Sequence, residues 1–380
     1  MRVLHVYRTY FPDPPGGLQE AIRQICLGTK ALGVESKILS LSPCPIPAEI
    51  ESSEGTVIRS RSWMAPASCD LGAFDSFKRF RELSAWSDVI HYHFPWPFAD
   101  VLNLVADRNK PKVMTYHSDI VRQKFLSLIY GPLMRYTLGV MDAVVATSPT
   151  YAKTSPVLNT AVAPDRLKVI PLGLEDRSHR ESMEIGSSDI LERLELGDRP
   201  FALALGVLRY YKGLHFLVDA ASRTNATIVI AGSGPEGGHL QEQVLRQGVR
   251  NVVFAGQVSE QEKATLLRRC RLLVLPSHVR SEAFGMVLLE AAMFGKPMVC
   301  CEVGSGTSFV NVHGETGYVV PPENALELAD AMNTLLADQC LSECMGLAAR
   351  LRYEHMFSGE VLGRRYDDLY RGVLNSHRYA

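Results

Sequence analysis

Short runs of β-branched and aliphatic residues alternate along the whole chain with stretches of helical period. Strands are predicted over residues 3–6, 36–41, 89–93, 112–116, 143–146 and 168–170, then over 201–205, 227–231, 252–254, 272–275 and 298–301, with amphipathic helices between them. Strand and helix in turn is the pattern of parallel sheets whose faces are covered by helices. The alternation breaks at Pro171-Leu172-Gly173 and the charged, Ser- and Gly-containing stretch 175–189, which has linker composition. The expected fold class is therefore α/β, two Rossmann-like doubly wound domains in tandem, residues 1–175 and 176–355, with helices from Pro322 to the end. Ligands of open α/β sheets bind beyond the carboxyl ends of the strands, so two such domains facing each other would share an interdomain cleft.

The length agrees, because 380 residues exceed what one core commonly supports. Net charge is -1, divided between 19 Lys and Arg against 15 Asp and Glu in residues 1–172 and 21 against 26 in the remainder. That spread excludes a nucleic-acid binder, which needs clustered positive charge, while a mildly cationic first half suits an anionic membrane surface. Phe74, Phe77, Phe80 and Leu83 recur every three residues with Lys78, Arg79 and Arg81 between them. The pattern fits a basic amphipathic helix lying on a membrane, and equally a core-packed helix with solvated cations. No uninterrupted apolar segment reaches the roughly 18 residues of a membrane span, and the opening run Met1-Arg2-Val3-Leu4-His5-Val6 is too short for a signal peptide. The eight cysteines form no Cys-x-x-Cys pair, and thiols set in apolar runs imply a reducing, cytoplasmic compartment.

Glu282 and Glu290 carry the strongest chemical signal. They stand eight residues apart in Ser281-Glu282-Ala283-Phe284-Gly285-Met286-Val287-Leu288-Leu289-Glu290, just after a predicted strand. On a continuous helix that spacing separates two anionic acceptors by about 12 Å, the reach from a sugar ring to a ribose. Phe284, Gly285, Met286 and Val287 would open the helix, and their free amides with the positive end of its dipole suit a diphosphate. Apolar residues surround Glu290 on nearly every side, so it needs a partner.

Other motifs also follow strands. Gly206-Val207-Leu208-Arg209-Tyr210-Tyr211-Lys212-Gly213 sets two cations, Arg209 and Lys212, where a strand yields to a helix N-terminus, suited to a pyrophosphate leaving group. There is no Asp-x-Asp in the chain, so these cations and the helix amides would supply the neutralisation that a divalent metal otherwise gives. Gly232-Ser233-Gly234-Pro235-Glu236-Gly237 matches Gly-x-Gly-x-x-Gly, but it follows an internal strand, and Val252, Val253 and Phe254 stand where a ribose-binding acid is expected. It reads as a tight turn bordering a nucleotide site, with Gly234 beside the donor. Gly16-Gly17 precedes a helix and would let backbone approach a phosphate or sugar, or simply make a turn. His117 ends the strand 112–116, where a neutral imidazole could meet a sugar hydroxyl. His91 and His93 share one strand face; without an evident third ligand they are placed on the acceptor side rather than at a metal.

Together these segments, with Tyr116-His117-Ser118-Asp119 and Val169-Ile170-Pro171-Leu172-Gly173, resemble glycosyltransferase family 4 over nearly the whole chain. The resemblance implies the GT-B fold, a retaining transfer, no metal cofactor, and a last helix over 356–380 returning to the first domain. It implies that Glu282 binds the donor sugar and Glu290 the ribose, that Arg209 and Lys212 hold the diphosphate, that His117 contacts the transferred sugar, and that Gly17 approaches phosphate with Gly16 towards the acceptor. The family often has arginine directly after the glycine of its phosphate motif; this chain has Val207, and Arg209 is expected to substitute. Retention in the family is ascribed to front-side attack, which needs no enzyme nucleophile.

Residues 116–124, 146–156 and 206–213 are most similar to bacterial mannosyl- and D-rhamnosyltransferases of O-antigen and A-band polysaccharide assembly. That implies a GDP-sugar donor, a polyprenyl-diphosphate-linked acceptor and a peripheral place at the cytoplasmic face of the inner membrane. A sugar-nucleotide epimerase of similar shape and a silent sugar-nucleotide-binding module are the alternatives. Lys212→Ala and Glu282→Ala are expected to abolish transfer and leave the fold intact.

Overall fold

The computed structural model describes residues 1–13, 16–64, 70–120, 124–179 and 187–378. They form two compact units, Met1–Glu175 with Ser358–Ala380, and Asp176–Phe357. Residues 180–186 of the polar stretch 175–189, as well as Pro14, Pro15 and Cys69, lie outside the described residues.

The first unit is built on one sheet with strands β1 (Arg2–Val6), β2 (Glu35–Ser42), β3 (Glu49–Glu51), β4 (Thr56–Met64), β5 (Leu71–Gly72), β6 (Val89–Phe94), β7 (Lys112–Tyr116), β8 (Ala143–Ala146) and β9 (Leu167–Val169). Its order is β3-β4-β2-β1-β6-β7-β8-β9, with β5 paired to β4. The pairs joining β4 through to β9 are all parallel. The second unit has β10 (Phe201–Leu205), β11 (Thr227–Ala231), β12 (Val252–Gly256), β13 (Leu272–Leu275), β14 (Met298–Cys301) and β15 (Gly317–Val320), ordered β12-β11-β10-β13-β14-β15 and parallel throughout. Both sheets are doubly wound. All eleven strands read from the sequence are present, and β3, β4, β5 and β15 are additions. β4 escapes a hydrophobic reading because Arg59 and Arg61 interrupt it, yet Arg59 is buried, its guanidinium bonded to Ser42 Oγ at 2.7 Å and Cys44 O at 2.9 Å.

The last helix, Gly359–Arg378, belongs to the first unit. Its backbone approaches helix Gly17–Lys30 so closely that a Cβ on Gly363 would lie 2.3 Å from Gly28 O. Tyr366 and Tyr370 are fully buried with Val3, Val89, Val113 and Val145 on one face of the sheet. That face also carries His5, His91 and His93, each at most 1% exposed. His91 sits between Tyr370 OH and Thr115 Oγ1, both at 2.7 Å, and Thr115 Oγ1 is 2.8 Å from Tyr366 OH. The acceptor-side expectation for His91 and His93 is therefore corrected. Strand alternation put them on one face, as read, but the last helix covers that face, so they are core.

Of the amphipathic helix Phe74–Trp86, Phe80 and Leu83 are buried, whereas Phe74 is 95% exposed and makes no core contact of that kind. The described cysteines are free thiols, and no helix among the described residues is long and apolar enough to cross a membrane.

Burial pushes the pKa of His5, and of His117 at the end of β7, from 6.5 to about 3, and holds His91 and His93 well below the ordinary value. In the unfolded chain these rings protonate near 6.5; in the folded protein they stay neutral far lower. Their contribution is complete above the unfolded value and is lost as pH falls, by roughly 1.4 kcal/mol per pH unit for each ring. Thermal unfolding should accordingly show a melting temperature that drops steeply between about pH 6.5 and pH 5. A flat profile over that interval would mean these rings are charged or solvated in the native state.

Candidate active site

In the second sheet the chain runs outward from β10 to β12, then returns to place β13 on the other side of β10. At such a reversal the loops leaving neighbouring strands diverge and open a crevice at their carboxyl ends. The two loops here are Gly206–Gly213 after β10 and Pro276–Gly285 after β13.

The first loop ends in the turn Tyr210–Lys212, and Gly213 follows at φ 65°, capping helix Leu214–Ala221. A Cβ at Gly213 would lie 2.1 Å from Pro276 O, so only glycine lets the two loops touch. His278 stitches them, its amide donating to Tyr211 O at 3.1 Å and its Nε2 lying 3.1 Å from Tyr210 O. This seats the Lys212 ammonium against the Glu282 carboxylate as a largely buried ion pair, and the Ser277 hydroxyl donates to Glu282 Oε2 at 3.3 Å. Burial by itself would lower the pKa of Lys212; the adjacent Glu282 charge outweighs it and raises the value above that of an ordinary lysine.

Beyond Glu282 the backbone turns at Gly285, φ 85°, and helix Met286–Met293 begins. Its first internal bond runs from Leu288 N–H to Gly285 O at 2.8 Å, so the amides of Met286 and Val287 precede the ladder. A Cβ built on Gly206 finds Val287 Cγ1 nearest, at 3.9 Å, so the glycine after β10 adjoins this helix tip. The Phe284 side chain is 3% exposed and packs edge-on to Phe357, which leaves only its backbone to offer. Glu282 precedes the helix rather than lying on it, so the 12 Å separation inferred from helical rise does not apply: a left-handed glycine intervenes.

Glu290 has the partner its apolar surroundings require. Lys263, on helix Glu260–Arg269, lies 2.8 Å from Glu290 Oε1 and 2.9 Å from Glu260 Oε2. Burial would lower the Lys263 pKa, and the two carboxylates outweigh it. Lys263 was not legible as a site residue, because its helix reads as an ordinary charged surface helix. Arg209 is exposed, as is Val207. Gly234 is a packing requirement: a Cβ there would meet Leu208 O at 2.5 Å, and Leu208 N–H donates to Ser233 O at 3.0 Å. The glycine fingerprint thus presses a turn onto the loop after β10.

In the first unit the corresponding reversal lies between β1 and β6. Gly16 caps helix Gly17–Lys30 in extended conformation, and both glycines have accessible surface. His117 follows β7, is 6% exposed, and its Nε2 lies 3.1 Å from His93 Nδ1. One nitrogen each of His5, His91 and His93 falls within 4.8 Å of the others, a grouping of metal-ligand type. However, His91 has both nitrogens on Thr115 and Tyr370, and His93 has both on His5 and His117. Their lone pairs and protons are committed to hydrogen bonds. Sequence reading missed His5, which reaches His91 through the β1–β6 register.

Two family models match the chain, Glycosyltransferase Family 4 over residues 15–177 and Glycosyl transferases group 1 over residues 188–352. The chain is 43% identical to the D-rhamnosyltransferase WbpZ of Pseudomonas aeruginosa, over 94% of this chain and 92% of that one. It is 39% identical to the O-antigen chain mannosyltransferase C of Escherichia coli, over 99% and 100% of the two chains. The sucrose-phosphate synthase of Thermosynechococcus elongatus shares the fold at TM-score 0.80, with 22% identity over 99% of each chain. The chain belongs to glycosyltransferase family 4 and has the GT-B fold, and it is a glycosyltransferase acting between a nucleotide-sugar donor and a saccharide acceptor.

Removing one member of a buried ion pair leaves an unpaired charge and typically costs about 3–5 kcal/mol, whereas replacing both is close to neutral. The expectation that Lys212→Ala and Glu282→Ala leave the fold intact is therefore revised. Each single variant should unfold at markedly lower urea concentration, and Lys212→Met with Glu282→Gln together should recover most of the loss. Strictly additive losses in that double-mutant cycle would show that the two charges are not coupled.

Proposed function

We propose that this glycosyltransferase moves mannose or D-rhamnose from a GDP-sugar to a lipid-linked saccharide during bacterial O-antigen assembly, with retention and without a metal ion. The observation that carries the reading is the buried Lys212–Glu282 pair set beside the amino-terminal tip of helix Met286–Met293. The two bacterial relatives, a D-rhamnosyltransferase and an O-antigen mannosyltransferase, support the sugar and the process.

In this mechanism Lys212 and the exposed Arg209 take the diphosphate together with the amides of Gly285, Met286 and Val287. Those groups stabilise the negative charge that grows as the bond from the anomeric carbon to the diphosphate breaks. Freed from Lys212, Glu282 accepts hydrogen bonds from the sugar hydroxyls, while Glu290 turns from Lys263 to the ribose. The acceptor hydroxyl attacks from the face the diphosphate leaves, and a departing phosphate oxygen takes its proton, so GDP and the glycoside form with no enzyme nucleophile. Fixed cations replace the charge of a divalent ion. Gly16 and Gly17 bring backbone to the substrates in the first unit, and His117 contacts the transferred sugar.

The lipid-linked acceptor places the enzyme peripherally at the cytoplasmic face of the inner membrane. Trp63 at 71% exposed and Phe74 at 95% exposed supply apolar anchors, and Lys78, Arg79 and Arg81 follow on the same helix as Phe74.

GDP-mannose at saturating excess should raise the melting temperature by several degrees, whereas UDP- and dTDP-sugars should not. Stabilisation by a UDP-sugar alone would refute the GDP assignment. Transfer should persist in EDTA; activity lost there and restored by Mg²⁺ would show that the side-chain cations are insufficient. Phe74→Ser with Trp63→Ser should weaken sedimentation with vesicles containing phosphatidylglycerol about tenfold or more, and unchanged binding would remove this surface from the account.

A further inference from the structure

Three histidines from three strand ends form one hydrogen-bonded file. His5 Nδ1 lies 3.1 Å from His93 Nε2, and His93 Nδ1 lies 3.1 Å from His117 Nε2. His5 and His93 are at most 1% exposed and His117 is 6% exposed, so the file runs from the core of the first unit to the carboxyl end of β7. Neutral imidazole has one N–H and one lone pair, so each bond in the file fixes the next. Only two arrangements satisfy both bonds. Either His5 donates to His93 and His93 to His117, leaving His117 Nδ1 protonated, or every bond is reversed and His117 Nδ1 is a bare acceptor.

The closed end decides between them. His5 Nε2 is buried and has no hydrogen-bond partner among the described residues. In the reversed file that atom would be an orphaned N–H; in the forward file it is an orphaned lone pair. Buried donors without partners are the rarer defect in folded proteins. At the other end His117 Nδ1 has no partner among the described residues, and a ligand or water satisfies it in either state.

We infer that His5 and His93 are positioning residues that set the tautomer of His117, so that this ring meets substrate as a neutral Nδ1–H donor to an acceptor oxygen, a sugar hydroxyl or a phosphate. The inference rests on the reading that His117 contacts substrate, and it deepens that reading by giving the contact a direction. Burial keeps the file uncharged, with the pKa of both end rings pushed down to about 3, so no ring in it stores a proton at neutral pH. His117 then serves as a fixed dipole and not as a general base.

Nitrogen-15 spectra of the ring nitrogens in the ligand-free protein, assigned with single histidine variants, test the file without reference to activity. The expected result is His117 with Nδ1 protonated and Nε2 bare, and the same for His93 and His5. A bare Nδ1 on His117 overturns the inference. Kinetics with GDP-mannose then test its use. His93→Leu should lower kcat about tenfold or more with little change in KM. His93→Gln should restore most of the loss, because its amide can accept from His5 and donate to His117 in the same sense. Turnover of His93→Leu equal to wild type overturns the positioning role, and since the wild-type spectrum stands by itself, a variant that fails to fold leaves the test intact. If the tautomers are as expected and His117→Ala turns over normally, the file stands and the reading that His117 contacts substrate is what falls.

Discussion

The ion pair of Lys212 and Glu282 is the constraint on which the second unit's site depends. Neither charge could be held out of water alone, and the pair exists because two loops from neighbouring strands are pressed together at a glycine. Gly213 removes the Cβ that would strike Pro276 O, His278 ties the loops, and Gly285 then turns the chain so that a helix tip follows within a few residues. The ammonium of Lys212 and the carboxylate of Glu282 thus satisfy each other. In the proposed mechanism, a donor carrying both phosphate oxygens and sugar hydroxyls would offer each of them a replacement partner at once, so that the exchange would not leave a buried charge bare. The Lys263–Glu290 pair repeats the device at the far end of the same helix.

The first unit solves a different problem. Its sheet carries polar rings on a face that must be covered, and the last helix covers them with Tyr366 and Tyr370, whose hydroxyls meet Thr115 and His91. Histidines that could have been ligands or bases are thereby turned into a neutral hydrogen-bonded network. Its outermost member, His117, follows β7 and keeps some accessible surface, 6% against at most 1% for the other three.

Most of the architecture was legible in the sequence because parallel strands buried on both faces are continuous apolar runs, and glycine or a polar turn bounds each one. β4 was not, since its alternating arginines read as surface while Arg59 is in fact buried among oxygen acceptors. Lys212, Glu282 and the helix opening at Gly285 were visible as charged or small residues just after strands. Their pairing was not, because it depends on the order β10-β13, which no local pattern encodes. The same limit explains Lys263 and His5. Each becomes significant only through a neighbour 27 residues away or more in sequence, Glu290 in one case and His93 in the other. His91 and His93 were read correctly as sharing a face and wrongly as accessible, since nothing within that strand reveals that the final helix lies upon it.

The most direct measurement is a crystal structure with GDP-mannose bound. In that complex Lys212 Nζ should have left Glu282 for a diphosphate oxygen, the Glu282 carboxylate should lie within hydrogen-bonding distance of the sugar hydroxyls, and the amides of Met286 and Val287 should face the phosphates. A complex in which the Lys212–Glu282 pair is intact and remote from the nucleotide would contradict it.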